Sequence, residues 1–230
     1  MSDPALLPLL QFADGLFPAG GFAHSLGLET YVQDGRVSDV AGLEAFVVAQ
    51  LEGSSGPCDA VAAALAARAA ATGDVDALIA LDVRVEAMRV VPESRAASRQ
   101  MGRQTLRVAG ALTTDRTLDA YIAATTHGRA PGHHAVAFGA ALGREGVSPE
   151  HVAAAYLYAT AAMLVGAGVR LLALGQLDGQ RVLGVVRPRV ARLAARAADA
   201  RDVDDMWSFT IGLEIAGIRH ATLDARLFRS

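Results

Sequence analysis

The sequence predicts an all-α fold, a single-domain helical bundle of about ten helices with no significant sheet. Three observations carry this. Alanine-rich runs recur along the chain, and alanine is the strongest helix former. Apolar residues return at steps of three and four, the spacing of one helix face. Sustained alternation at period two is missing, and the short apolar run 182–186 is the one strand candidate. With 230 residues, 52% of them hydrophobic, the chain can bury one sizeable core. One domain is expected over 1–230, with 1–10 and 219–230 as flexible termini that a partner orders.

In order along the chain, Pro18 and Gly20-Gly21 set a tight turn. The turn is expected to feed a helix from near Phe22 to Gly35, whose glycine is a stop signal. Ser38-Asp39 caps a helix through Glu52, broken over 53–57. Alanine-rich helices follow at 59–71 and 74–85, separated by Thr72-Gly73. Pro92-Glu93-Ser94 opens a helix to Leu112 that carries Arg95, Arg99, Arg103 and Arg107 in a drifting basic stripe. That stripe is either a solvated face or a docking strip for acidic groups, since the planar guanidinium forms paired bonds with carboxylates.

A short helix at 114–126 and a loop at 127–132 precede a helix opened by His133-His134 and ending near Gly143. Ser148-Pro149-Glu150 starts the central helix. Residues 152–169 carry no charge over a length approaching a membrane span. A helix apolar on all sides is expected at the centre of a bundle instead. Within it Ala155, Ala159, Ala162 and Gly166 allow close approach. Tyr156 and Tyr158 point to different sides, so at least one is available to a partner. Residues 177–180 read as an amide-rich turn, 184–188 as a break, and 190–201 as a helix. Asp202, Asp204 and Asp205 suit a cap for a last helix at 206–218.

The missing chemistry narrows the function. A net charge of −3 argues against a nucleic-acid binder. The single cysteine, Cys58, excludes a disulfide framework and a multi-cysteine zinc site, and fits a reducing compartment. All 21 basic residues are arginine, so a P-loop lysine, a Schiff-base lysine and a Ser-Lys nucleophile are impossible. No Gly-x-Gly-x-x-Gly cradle is present either, so any GTP involved belongs to another protein. At the amino terminus an acid precedes the apolar run without a basic region, the wrong order for a secretory signal. His127, His133 and His134 invite a metal reading, but neighbouring helical positions diverge by about 100°. Ser25 beside His24, with Asp14 or Glu29, holds the atoms of a triad in a badly aimed order. No enzyme activity, catalytic residue or tightly held cofactor is expected.

The most specified stretch is 14–34, DGLFPAGGFAHSLGLETYVQD. It resembles the amino-terminal signature of the urease accessory protein UreF family, D-S-x-L-P-x-G-G-F-x-x-S-x-G-L-E. Asp14, Pro18, Gly20, Gly21, Phe22, Ser25, Gly27, Leu28 and Glu29 fall in register. Gly15 and Phe17 replace the usual serine and leucine. Residues 169–183 and 220–230 resemble the same family, although Ala221 replaces the glutamate that usually follows the histidine. His133 matches a histidine in the family's G-H-x-x-V-x-x-G pattern.

The resemblance implies a urease maturation factor, a nickel-insertion chaperone that forms a homodimer. It would bridge the UreD (or UreH) scaffold and the GTPase UreG on apo-urease, with nickel handled transiently by the complex. The alternative is direct activation of UreG by an inserted arginine. By the same resemblance Ser25, Glu29, Gln176, Asp178 and Gln180 would position or contact partners, with Tyr156 and Tyr158 beside them. His220, Arg226, Leu227 and Phe228 would order on the scaffold, as disordered tails that fold on binding do.

Overall fold

The computed structural model describes residues 4–230. The expectation for residues 1–3 of the amino terminus lies outside the described residues. Among those described, the chain is helical throughout with no strand: α1 (Leu6–Ala13), α2 (Leu28–Gln33), α3 (Val40–Gln50), α4 (Val61–Thr72), α5 (Val75–Met88), α6 (Pro92–Leu112), α7 (Arg116–Thr126), α8 (His134–Arg144), α9 (Pro149–Leu171), α10 (Gln176–Asp199) and α11 (Ile211–His220). Side-chain oxygens of Asp39, Asp74, Asp115 and Ser148 accept first-turn amides of α3, α5, α7 and α9. Such caps satisfy donors that a helix start leaves unpaired.

The core sits where α4 packs against α5, α8, α9 and α10. Small residues make this possible. A Cβ added at Gly139 would lie 2.2 Å from the Ala63 carbonyl oxygen, and one at Gly143 2.4 Å from that of Ala67. Around this seam Leu43, Leu78, Leu118, Tyr121, Phe138, Leu157 and Leu164 are buried, each stabilising by roughly 2 kcal/mol. α9 is long and apolar enough to cross a membrane by length and composition, and half of its apolar stretch is buried within the bundle.

Four boundaries differ from the sequence reading, each for a hydrogen-bonding or packing reason. The helix expected from Phe22 is instead a 3₁₀ turn over Gly21–Ala23, extended chain at His24, and α2. Ser25 and Leu26 amides donate to Ser230 O at 2.5 and 3.1 Å rather than to the preceding turn. Gly27, at φ 87°, lets α2 approach within van der Waals contact of the α11 backbone. The break expected at 53–57 is a π-helical stretch, Leu51–Ala60, that joins α3 to α4.

Its wide turns free carbonyls. Trp207 N donates to Pro57 O at 3.2 Å and Phe209 N to Gly53 O at 2.8 Å. Those bonds keep 206–210 extended, so the last helix begins at Ile211 rather than Met206. Finally, 177–180 and 182–188 are neither turn, strand nor break but part of α10, with Pro188 inside it. Val182, Val186, Val190, Leu193 and Ala197 form its buried stripe, and that burial offsets the roughly 3 kcal/mol a mid-helix proline costs.

Candidate functional site

The amino-terminal signature and the carboxy-terminal tail form one structure. Ser25 Oγ donates to Ser230 O at 2.9 Å, and His24 Nδ1 lies 2.9 Å from Ser230 Oγ. The carboxylate of Glu29 accepts Leu227 N at 2.6 Å and Phe228 N at 3.0 Å. His220 lies between two acids, with Nε2 3.0 Å from Glu29 Oε2 and Nδ1 2.7 Å from Glu93 Oε2. Arg226 donates to Glu93 Oε1 at 2.8 Å. On the far side Arg170 donates to Phe22 O at 2.8 Å and stacks over the Phe228 ring at 4.4 Å. The tail is seated on its own chain through these bonds. Glu29 and Glu93 serve as the acids of a histidine–carboxylate pairing without the glutamate that Ala221 replaces.

A second buried network fixes the loop before α8. The Asp82 carboxylate accepts Tyr121 OH at 2.9 Å, Gly132 N at 2.6 Å and His133 N at 2.8 Å. His133 Nε2 lies 2.8 Å from Glu86 Oε2 and Nδ1 3.0 Å from Ser98 Oγ. Burial, helped by Arg89, lowers the His133 pKa to about 4. The ring is neutral, donating to Glu86 and accepting from Ser98. Burial pushes the Glu86 carboxyl up, but bonds from Arg99 and His133 outweigh it and hold the carboxyl low. His134 points elsewhere, its ring 5.3 Å from that of Tyr156 and 5.8 Å from that of Phe138. Among the described residues no three His, Cys, Asp or Glu side chains converge as metal ligands.

Between the signature loop and helices α6, α8 and α9 lies a cavity of about 700 Å³, lined by Phe12, Phe17, Met101, Phe138, Tyr156 and Met163 among others. Arg89 and Asp59 also line it, paired at 2.5 Å. Burial raises the Asp59 carboxyl pKa despite that arginine. Burial, with the Asp59 charge beside it, pushes the Cys58 thiol up to about 12, so this cysteine stays an unreactive thiol.

The residues predicted from sequence divide by exposure. Ser25, Glu29, Tyr156, His220 and Phe228 are buried within the chain. They shape a surface from beneath. Tyr158 is 40% exposed and Leu227 61%; Gln176 and Gln180 are exposed on the first turns of α10. Asp178 lies beside them, 3.0 Å from Arg181. In the arginine stripe, Arg99 is bound to Glu86 and Arg95 to the Arg89 carbonyl, leaving Arg103 and Arg107 toward solvent. Sequence reasoning missed Glu93, Asp82, Glu86 and Arg170 as organising groups. Their partners lie far away in the chain, and a lone acid in a helix gives no periodic signal.

Among the described residues, two stretches of the chain are rich in large exposed apolar side chains. One belongs to the amino-terminal segment: Leu7, Leu10, Leu16 at 92% exposure and Phe22 at 73%. The other runs through Trp207, Phe209 at 72%, Ile211, Ile215 and Ile218. The three isoleucines follow one helix face. Exposed apolar surface, where it is contiguous, marks protein interfaces.

Comparison with known proteins agrees with the signature. A family model described as UreF matches residues 37–187. The urease accessory protein UreF of Paenarthrobacter aurescens is 38% identical over the whole of both chains. That of Bradyrhizobium sp. strain BTAi1 is 36% identical over all of this chain and 94% of the relative. That of Thermosynechococcus vestitus is 33% identical over the full length of both. These relatives align with the whole length of this chain, and the chain belongs to the UreF family of urease accessory proteins.

Proposed function

We propose that this chain is a cytoplasmic urease maturation factor that bridges the UreD (or UreH) scaffold and the GTPase UreG during nickel insertion into apo-urease. The observation that carries this reading is the pair of uncovered apolar surfaces, one on the amino-terminal segment and one across residues 207–218. Two separate sticky surfaces suit a protein that holds two others. Its polar chemistry, by contrast, is already partnered: buried Glu29 and Asp82 and half-buried Glu86 and Glu93 all accept bonds from within the chain. Nickel is cargo of the assembled complex on this reading, passed on rather than stored here. A homodimer would leave one apolar surface per copy for each kind of partner.

The test is co-purification of the full-length chain with scaffold and GTPase subunits, beside Phe22→Asp and Phe209→Asp variants of normal helicity. Loss of one partner by each substitution is expected, since a charge in an apolar interface core costs several kcal/mol. Failure of the wild-type chain to associate with any urease maturation component would overturn the proposal. Faster GTP hydrolysis by UreG with this chain alone, abolished by a single arginine-to-alanine change, would replace bridging with direct activation.

A further inference from the structure

The segment after α11 is a strap closed over the signature loop, and His220 stands where the strap leaves the helix. We propose that His220 closes it as a doubly protonated imidazolium, so that the strap is held by that second proton and is released when rising pH removes it. This inference concerns the chain alone and stands whether or not the bridging role holds.

The argument rests on counting protons. His220 is fully buried, and each ring nitrogen meets a carboxylate oxygen, Glu93 Oε2 at 2.7 Å and Glu29 Oε2 at 3.0 Å. A carboxylate accepts and does not donate, so each bridge needs its own proton, and a neutral imidazole carries one N–H. Neither acid is placed to supply the second. Glu29 already accepts Leu227 N at 2.6 Å and Phe228 N at 3.0 Å, and Glu93 accepts Arg226 at 2.8 Å through its other oxygen.

The charges close only with a cationic ring. Glu29 on α2 and Glu93 on α6 are matched by Arg226 on the strap and by His220 itself. Of the other nearby groups, Arg219 on α11 is turned to Asp34 at 2.7 Å, and His24 of the signature loop meets Ser230 Oγ. Such a neutral cluster can be buried; with one proton removed it holds two carboxylates and a lone pair facing one of them, an arrangement burial penalises. The strap hangs from the same carboxylate, through the Leu227 and Phe228 amides, so it loosens with the bridge.

The linkage sign follows. The closed state holds a proton between the two carboxylates that the open state does not need and surrenders as pH rises. Closure is therefore favoured at low pH and lost at high pH.

Amide exchange in the full-length chain tests this directly. Leu227, Phe228 and Arg229 amides, bonded to Glu29 and to Ala23 O, should lose protection by about tenfold per pH unit once His220 gives up its proton, expressed as protection factors. Core amides of α4 and α8 should hold constant. Nitrogen NMR should find both His220 ring nitrogens protonated while the strap is closed. Glu93→Gln supplies an amide N–H for the lone pair of a neutral ring and keeps an oxygen for Arg226, so its strap should stay protected across the whole range. Flat wild-type protection, a neutral ring in the closed strap, or a Glu93→Gln variant that opens as the wild type does would each overturn the proposal.

Discussion

His133 and His220 are both fully buried and both touch glutamate, yet their surroundings ask opposite things of them. His133 faces one carboxylate and one hydroxyl, so a neutral ring with one proton satisfies everything around it. His220 faces two carboxylates. What burial does to a histidine is thus decided by whether its neighbours donate or accept. The first network is a rigid joint in the core. The second is a fastening at the edge, closing a strap of ten residues, 221–230, whose backbone otherwise returns to solvent.

The comparison breaks most violently at Asp82, the hub of the rigid joint. Asp82→Ala would leave Tyr121 OH, Gly132 N and His133 N without their acceptor. At about 1–3 kcal/mol for each buried group left unsatisfied, the loss should be roughly 4 kcal/mol by urea unfolding. Next comes Gly102→Ala, which presses the same loop from the other side. Its Cβ would lie 2.2 Å from Gly132 O and 2.6 Å from the His133 carbonyl carbon, both backbone atoms that cannot rotate away. A loss of about 3 kcal/mol is expected. In both variants strap protection relative to the core should be unchanged, because no bond of the fastening passes through that loop.

Acid sharpens the contrast with a smaller effect. The pKa of His133 and that of His134 are each lowered to about 4, mainly by burial with Arg89 adding to it. Unfolded imidazole titrates near 6.5, so the unfolded chain binds more protons between these values, and stability is complete above that window and falls as pH drops through it. The maximum slope is about 1.4 kcal/mol per pH unit for each histidine. The buried Asp59 and Asp82 carboxyls, raised chiefly by desolvation, work against this trend toward the acid end. His134→Phe, which keeps the ring beside Phe138 and Tyr156, should remove about half of the histidine slope in urea titrations between pH 6.5 and 4. The strap responds in the opposite direction, loosening toward alkaline pH.

How much of this was legible in the sequence follows from the range of each interaction. α6 opens at Pro92 and ends at Leu112 as proline at the first turn and apolar periodicity dictate. The caps at Asp39, Asp74 and Ser148 are local, each bonding an amide three residues on. The start of α11 was not legible, because carbonyls freed by a π-helical stretch some 150 residues earlier hold Trp207 and Phe209 extended. For the same reason the importance of residues 14–34 could be read, from their density of glycine and polar groups, but not their role. Ser25 and Glu29 answer to Ser230, Phe228 and His220, about 200 residues away. Pro188 and Gly184 misled in the other direction, since local punctuation outweighed a buried stripe that only the neighbouring α9 makes favourable.

The smallest effect expected is the most discriminating. Arg219 precedes His220 and forms a paired bond with Asp34 at 2.7 and 3.0 Å, in full view of solvent. Exposed pairs are screened by salt and contribute little. Arg219→Gln should therefore leave the urea midpoint and the alkaline loosening of the strap where they are in the wild type. A fastening governed by the general field around α11 would respond to the loss of a positive charge next to His220. One governed by two short bridges to Glu29 and Glu93 would not, since neither bridge involves Arg219. An Arg219→Gln strap that opens at lower pH than the wild type would show that electrostatic steering, rather than the proton count at His220, holds the tail.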